Sequence, residues 1–285
     1  EEAGSVRSGT TNDERLEKIR NLNKSVRKAV LNFKPPEQLT VSDWSDKYRR
    51  LSAENSAEAG PWRTSRTPYL KEIMDAFTDP RVHRIVASSQ VGKTEMEMNM
   101  MAYMIDIDPG PAMFVLPTVD NAKDISKRRI APMIRDTKPL QKKIATSKSR
   151  DSDNTLLKKA YPGGMMTITG SNSPAALASV PCRYVFGDER DRWAKDAGGE
   201  GDPWGLVEAR TITFYNYKMI EVSTPTIKGH SAIEKSFGRG TQEYWSVKCP
   251  HCNEYSFVDF DHIRYEAHRI GEGKERHYIV DDVNY

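Results

Sequence analysis

The chain has 285 residues, and 43 lysines and arginines against 40 aspartates and glutamates give it a formal net charge of only +3. Hydrophobic residues make up 37% and aromatic residues 9%, which is enough apolar material for a folded core and excludes a wholly disordered or fibrous chain. No stretch approaches the roughly 20 consecutive apolar residues of a membrane helix, and the N-terminus lacks a signal-peptide core. We therefore expect a soluble, intracellular protein with no membrane partner.

The sequence of the first part of the chain, residues 1–60, predicts a loose tail followed by a helical arm. Apolar residues recur at helical spacing over residues 13–33, and Pro35-Pro36 ends this pattern. Ser42 is the predicted N-cap of a second helix, which Gly60-Pro61 ends.

The middle of the chain, residues 61–248, alternates short apolar runs with helical stretches. This order is typical of an α/β fold with a mainly parallel sheet flanked by helices. The predicted strands are residues 83–87, 112–116, 165–169, 184–187, 218–223 and 244–248. The predicted helices are residues 68–77, 94–107 and 120–134.

A phosphate-binding loop is predicted where the strand at Ile85 leads through a tight turn into a helix. Lys93 is expected to reach the β and γ phosphates of a nucleotide, and the Thr94 hydroxyl to bind Mg²⁺. Ala87 stands where the usual pattern has glycine, so a chance Gly-Lys-Thr at an ordinary helix start is the alternative. The predicted nucleotide-binding residues of the loop are Ser88, Ser89, Gln90, Val91, Gly92, Lys93 and Thr94.

A second motif is the apolar strand that ends in Asp188-Glu189, the Walker B arrangement. We expect Asp188 to hold Mg²⁺ and Glu189 to orient and deprotonate the attacking water. The alternative is an exposed acidic turn with local charge pairing. A third strand runs into Thr224-Pro225-Thr226, where Ser223 or Thr224 is placed to sense the γ phosphate. Together the three motifs predict an ASCE-type P-loop NTPase.

The order of these motifs resembles the large terminase subunit of lambda-like tailed phages. The resemblance runs from Leu39 to the C-terminus. It is carried by residues 39–44 (LTVSDW), 60–69 (GPWRTSRTPY), 90–94 (QVGKT), 188–191 (DERD), 223–226 (STPT) and 249–252 (CPHC). It implies an ATP-driven motor that packages double-stranded DNA into a procapsid, with an ATPase portion in this chain and a nuclease domain beyond it. We therefore expect ATP hydrolysis and no nuclease activity.

The resemblance also implies partners and further site residues. Arg66, Pro68 and Tyr69 are expected near the adenine, and residues 223–226 are expected to form the motif that couples hydrolysis to movement. The implied partners are the portal protein, the small terminase subunit and other copies of this chain in a ring on the portal, in the host cell cytoplasm. An isolated chain is expected to be monomeric.

The arginine that stabilises the transition state is not assigned by the resemblance. Ser89 and Ala178 occupy the two positions where members of that family carry it. Arg128, Arg129 and Arg183 are the candidates, acting on the nucleotide of a neighbouring subunit.

Two other features point to DNA and to metal. Twelve basic residues against four acids lie between residues 123 and 159, which fits either a DNA-contacting segment or a solvated helix face. Cys249 and Cys252 form half of a zinc ribbon in residues 249–285, the predicted start of a linker toward the nuclease domain, so zinc is expected only if a second Cys pair follows residue 285. Five methionines between Met96 and Met104 are expected to be buried helix residues.

Two other functions remain open from the sequence. A helicase-like P-loop translocase would use the same ATP motifs but separate the strands. A nucleotide-binding scaffold with little hydrolysis would fit the Ala87 loop and the unassigned arginine.

Overall fold

The computed structural model describes residues 12–32, 38–56, 58–88, 92–144, 154–257, 264–270 and 277–284. Its α-helices are α1 (Asn12–Asn32), α2 (Val41–Tyr48), α3 (Lys71–Asp75), α4 (Lys93–Asp106), α5 (Val119–Ile125), α6 (Ala131–Asp136), α7 (Lys138–Lys143), α8 (Pro174–Leu177), α9 (Pro203–Glu208) and α10 (Ala232–Gly238). Its strands are β1 (Arg50–Leu51), β2 (Gly60–Pro61), β3 (Arg84–Ser88), β4 (Ala112–Leu116), β5 (Lys158–Tyr161), β6 (Gly164–Gly170), β7 (Tyr184–Gly187), β8 (Lys218–Ser223), β9 (Ser246–Lys248), β10 (Tyr255–Phe257), β11 (Arg264–Ile270) and β12 (His277–Asn284). The remaining short elements are 3-10 turns at Thr64–Arg66, Pro68–Leu70 and Arg190–Arg192 and a π-helical turn at Ser126–Ile130.

The chain divides into two compact units, Glu1–Leu39 and Thr40–Tyr285. In the first unit the described element is α1, which confirms the predicted helix to within a residue at each end, while Pro35-Pro36 lie outside the described residues. Leu16 and Leu22 of α1 are at least half exposed. The predicted domain boundaries at residues 60 and 248 stay predictions. None of the described helices is long and apolar enough to cross a bilayer.

The second unit is built on a six-stranded sheet in the order β3-β8-β7-β4-β6-β5. All neighbours pair in parallel except β5, which is antiparallel to β6. Every residue of β4, β7 and β8 is buried, since helices cover both faces of the central strands. The predicted mainly parallel α/β sheet is confirmed.

The sixth strand of the sheet is not the one that the sequence predicts. The prediction of a sheet strand at residues 244–248 is wrong, because Ser246–Lys248 pairs with Tyr255–Phe257 in a separate hairpin. Tyr244 and Trp245 precede it with 69% and 48% of their surfaces exposed. The apolar alternation that suggested a sheet strand therefore belongs to a surface segment. The sixth position is taken by β5, a polar strand.

Helix α4 directly follows the predicted phosphate-binding loop and carries the methionine cluster. The prediction that these side chains are buried is confirmed, because each is fully enclosed: Met96, Met98, Met100, Met101 and Met104. On α2, Trp44 Nε1 donates to Asp106 Oδ2 of α4 at 2.8 Å. The body of α4 is therefore held in the apolar core, and its carboxyl end is tied to α2.

Two helix predictions need correction. The N-cap of α2 is Thr40, whose hydroxyl accepts from the Asp43 amide at 3.3 Å, whereas Ser42 binds the Asp75 carboxylate. The predicted helix at residues 120–134 is interrupted by the π-helical turn. Pro132 lacks the N–H that would bond the Arg128 carbonyl, and the Asn55 amide takes that carbonyl instead.

Candidate active site

The predicted phosphate-binding loop joins β3 to α4 at the carboxyl end of the sheet. Ser88 ends β3 directly opposite Ser223 of β8, and α4 begins at Lys93. Gly92 has φ +81°, a left-handed conformation that glycine adopts at no steric cost. The amino end of this 14-residue helix therefore faces the loop with unpaired N–H groups and a partial positive charge. Three predicted loop residues, Ser89, Gln90 and Val91, lie outside the described residues.

Lys93 contacts the third motif. Its Nζ donates to the Thr224 hydroxyl at 2.8 Å, and the buried Ser223 hydroxyl donates to the Thr224 carbonyl at 3.2 Å. No carboxylate of the described residues forms an ion pair with Lys93, so its charge remains available to an anion. Thr94 follows, half-buried in the first turn of α4.

Asp188 follows β7, the strand beside β8, and is 6% exposed. Burial raises its pKa to about 6, against the opposing effects of the Glu189 amide, which donates to Oδ1 at 2.8 Å, and of Lys93. Mg²⁺ commonly takes one or two protein oxygens and completes its shell with phosphate oxygens and water. The Asp188 carboxylate and Thr94 hydroxyl are of that type, so the donor set fits Mg²⁺.

Glu189 has a strained backbone, with φ +51° in the left-handed region. Such a conformation costs an L-residue about 1–2 kcal/mol and occurs preferentially at functional sites. Its side chain is half-buried, and Oε2 lies 3.4 Å from the exposed guanidinium of Arg192. The two adjacent acids therefore differ in their surroundings: Asp188 is buried and Glu189 is partly exposed.

Glu97, one turn after Lys93 on α4, is a fully buried acid that the sequence analysis missed. Neither carboxylate oxygen has a hydrogen-bond partner among the described residues. Burial raises the pKa of Glu97 well above its usual range, the charge of Asp188 raises it further, and Lys93 opposes the shift. The only sequence signal was an acid between two methionines, Met96 and Met98.

The residues expected near the adenine lie in the two 3-10 turns that precede α3. A methyl group built on Gly92 would meet Leu70 Cδ1 at 3.5 Å, so the second of these turns adjoins the phosphate-binding loop. Tyr69 is half-buried, and its ring meets Trp245 edge-on with centroids 6.1 Å apart. Arg66 is exposed and forms an ion pair with Glu58. The adenine role of Arg66 and Tyr69 stays a prediction.

The candidate arginines are placed differently. Arg129 NH1 pairs with Glu95 of the same chain at 3.2 Å and donates to the Asn55 carbonyl at 3.1 Å. Arg128 is 74% exposed and paired with Asp124. To act on the nucleotide of a neighbouring subunit, Arg129 would have to break its ion pair with Glu95. Arg128 is more exposed and therefore freer to move.

Much of the basic segment is occupied by local contacts. Lys123, Arg128, Arg129, Arg135 and Lys143 pair with nearby acids, and buried Lys159 donates to backbone carbonyls. For the residues that pair with acids, these contacts favour the alternative of a solvated helix face over a DNA-contacting segment.

Cys249 and Cys252 are free thiols at the turn of the β9–β10 hairpin. The Cys249 pKa is lowered by hydrogen bonds from the amides of Cys252 and His251. Within the part of the chain that the structure describes, no group of three or more His, Cys, Asp or Glu side chains is placed to hold a metal ion.

The sheet order, with β8 between the strands of the two phosphate motifs, defines a P-loop NTPase fold. The family described as "Phage terminase large subunit gpA, ATPase domain" matches residues 56–280. The chain belongs to that family, as its motifs predicted.

Individual relatives agree with this assignment. The chain is 28% identical over 248 residues to the terminase large subunit of Enterobacteria phage P21 and 26% identical over 246 residues to that of Escherichia phage lambda. These matches cover 86% and 85% of this chain but only 38% of each relative. The crystal structure of the HK97 bacteriophage large terminase shares the fold, with a TM-score of 0.54 and 12% identity over 72% of this chain and 42% of that one.

Proposed function

We propose that this chain is the ATPase motor of a phage terminase, which hydrolyses ATP to move double-stranded DNA through the portal into a procapsid in the host cell cytoplasm. Family membership supports this proposal, and so does the contact between Lys93 Nζ and Thr224 Oγ1 at 2.8 Å beside Asp188 and Glu189. That contact links the cation expected to bind phosphate to the motif expected to couple hydrolysis to movement.

In the proposed reaction, the triphosphate lies along the loop at the amino end of α4, and Lys93 balances the charge of the β and γ phosphates. Mg²⁺ held by Asp188 and Thr94 would neutralise phosphate charge. Glu189 orients a water molecule toward the γ phosphorus and accepts its proton as the bond to ADP breaks. Departure of the γ phosphate removes part of the charge that Lys93 balances, and once ADP has also left, Lys93 can return to Thr224.

The proposal is tested by measuring ATP hydrolysis with and without duplex DNA and portal protein. Glu189→Gln keeps the shape of the side chain and removes its basicity, so we expect unchanged ATP binding and a rate reduced by about 10²–10⁴-fold. Arg192→Gln removes the exposed partner of Glu189 and is the matched control, with a near-normal rate. Hydrolysis that survives in Glu189→Gln would place the base elsewhere.

The two alternatives give different results. A helicase-like translocase would unwind a forked duplex, whereas a packaging motor moves duplex DNA without separating its strands. A nucleotide-binding scaffold would bind ATP without releasing phosphate, even with DNA and portal present.

We also propose that subunits complete each other's sites in a homo-oligomeric ring on the portal, together with the small terminase subunit. Arg128 and Arg129 remain the candidate trans-acting arginines, and such a residue contributes about 10³–10⁵-fold in rate. The test mixes Arg128→Ala/Arg129→Ala subunits with Glu189→Gln subunits. Hydrolysis regained only in the mixture supports action in trans, and full activity of the assembled double mutant alone eliminates both arginines.

Zinc belongs to the proposal only as part of the longer protein. Cys249 and Cys252 would supply two of the four ligands if a second pair follows residue 285. Metal analysis of a chain extended to include such a pair, with and without Cys249→Ser, tests this.

A further inference from the structure

Asp191 joins three segments of the site through hydrogen bonds. Its Oδ2 accepts from both the amide and the hydroxyl of Thr226, each at 3.0 Å, and its Oδ1 accepts from the Ile233 amide at 2.9 Å. Its own amide donates to the Ser223 hydroxyl at 3.0 Å. Through its amide and its carboxylate, Asp191 thus ties the turn that carries Glu189 to the end of β8, to Thr226 and to the amino end of α10.

The charge of Asp191 makes these bonds strong. Burial alone would raise its pKa, but hydrogen bonds from the Ser231 hydroxyl and from the Ile233 and Thr226 amides hold the pKa below its ordinary value. Hydrogen bonds to a charged acceptor are shorter and stronger than those between neutral groups. The three segments are therefore held in one arrangement rather than merely placed side by side.

A continuous set of contacts runs from the phosphate site through Asp191. Lys93 contacts the Thr224 hydroxyl, the Thr224 carbonyl accepts from Ser223, and the Ser223 hydroxyl accepts from the Asp191 amide. A phosphate that binds Lys93 Nζ would redirect the ammonium group and change its contact with the Thr224 hydroxyl. Thr224 lies between Ser223 and Thr226 in the chain, so a shift of Thr224 by a fraction of an ångström would strain the bonds that Asp191 makes with these two residues unless Asp191 moves with them.

We infer that Asp191 is a positioning residue that transmits the occupancy of the phosphate site, through residues 223–226, to helix α10. The inference rests on the proposed nucleotide site and adds a residue to which neither the motifs nor the resemblance gave a role. Asp191 need not contact the nucleotide, because it acts by fixing Glu189 and Thr226 relative to α10. Helix α10 is the element whose position then differs between the ATP and ADP states.

The test is hydrogen–deuterium exchange of the whole chain with ADP and with a non-hydrolysable ATP analogue. In the wild type, exchange of peptides covering residues 226–238 is expected to differ between the two nucleotides, since the Thr226 and Ile233 amides bond directly to Asp191. Asp191→Asn loses one acceptor and gains a donor facing an N–H group. We expect it to abolish that difference and to lower kcat about tenfold, while KM for ATP changes by less than about threefold.

The matched control is Asp196→Asn. Asp196 accepts from the Gly199 amide at 2.5 Å and the Gly201 amide at 2.8 Å, a similar bridging role a few residues away that involves neither β8 nor α10. It should keep the nucleotide-dependent difference at α10. Thr226→Val removes the hydroxyl donor to Asp191 and keeps the amide donor. We expect it to reduce, but not abolish, the difference in exchange at α10 between the two nucleotides.

The outcomes separate the inference from the proposed function. No protection of residues 92–106 by nucleotide in the wild type would refute the nucleotide site itself. Protection there, combined with either an unresponsive wild-type α10 or an Asp191→Asn protein that keeps the full wild-type difference at α10, would overturn the role of Asp191.

Discussion

Charged residues cluster at both ends of the central sheet, but they differ in whether they form ion pairs. At the amino end, Arg183 forms a bidentate pair with Asp108 at 2.7 and 2.6 Å, and the Tyr184 hydroxyl donates to the same carboxylate. At the carboxyl end, Lys93 contacts only a hydroxyl among the hydrogen bonds of the described residues, and Asp188 is buried without a paired cation.

The difference shows which charges serve the fold and which are available for chemistry. Arg183 is one of the sequence-based candidates for the catalytic arginine, yet it precedes β7 at the end of the sheet opposite the phosphate-binding loop, and we do not propose it further. A cluster in which every charge is paired contributes to stability. Charges without an ionic partner at the carboxyl end of a parallel sheet are instead typical of a ligand-binding site.

The largest expected effect comes from Lys93→Ala at the open end. It removes the one cation of the described loop that is aimed at the phosphates, so we expect ATP binding to be lost and hydrolysis to fall by at least about 10²–10³-fold. The unfolding temperature should stay close to that of the wild type, because Lys93 forms no ion pair with any residue that the structure describes. Isothermal titration with ATP and a thermal melt measure both. Unchanged ATP affinity would contradict the phosphate-loop assignment.

Arg183→Leu at the closed end should show the opposite pattern. It breaks the pair with Asp108, which is half exposed and therefore partly screened, and we expect a loss of about 1 kcal/mol. That corresponds to about 2–4 °C in the unfolding temperature of a domain of this size. KM and kcat for ATP should be unchanged. A large fall in kcat at unaltered stability would mean that Arg183 acts at the site after all.

The smallest effect is expected from Glu97→Gln, and its sign depends on pH. Because burial raises the pKa of Glu97, the folded state keeps a proton that the unfolded state releases near the ordinary glutamate value. The free energy of unfolding of the wild type therefore falls as the pH rises above that value, because folding then requires Glu97 to take up a proton. The glutamine variant should melt roughly 2 °C higher than the wild type at pH 8 and equally at pH 4.

A matched control for that experiment is Glu95→Gln on the same helix. Glu95 pairs with Arg49 and Arg129, so its loss should lower the melting temperature rather than raise it. A Glu97→Gln protein that is destabilised at pH 8 would show that the carboxylate is ionised and needed in the folded state.

The sequence predicted those parts of the fold whose signals are local. Strands β4 and β7 are short, continuous apolar runs, as is typical of strands buried on both faces of a sheet, and β8 is apolar at Met219, Ile220 and Val222. The loop before Lys93 is recognisable within a few residues. Strand β5 was missed because its first two residues are lysines, which are uncommon in strands.

The candidate site could be predicted only in part for the same reason. Lys93, Asp188 and Glu189 each follow or precede an apolar run that marks their position. Asp191 binds Thr226 and Ile233, which are 35 and 42 residues away, and no spacing rule relates such positions. The buried state of Glu97 likewise depends on how α4 packs, not on its neighbours in the chain.

Strand β5 also affects how the domain behaves when many copies are crowded together. An open sheet edge offers unpaired N–H and C=O groups to any extended chain and can seed aggregation. Here that edge is a strand of only four residues that begins with the exposed Lys158, and it runs antiparallel to the rest of the sheet. Short edge strands that carry lysine are poor templates for strand addition, so this edge protects the domain against aggregation by edge-to-edge pairing.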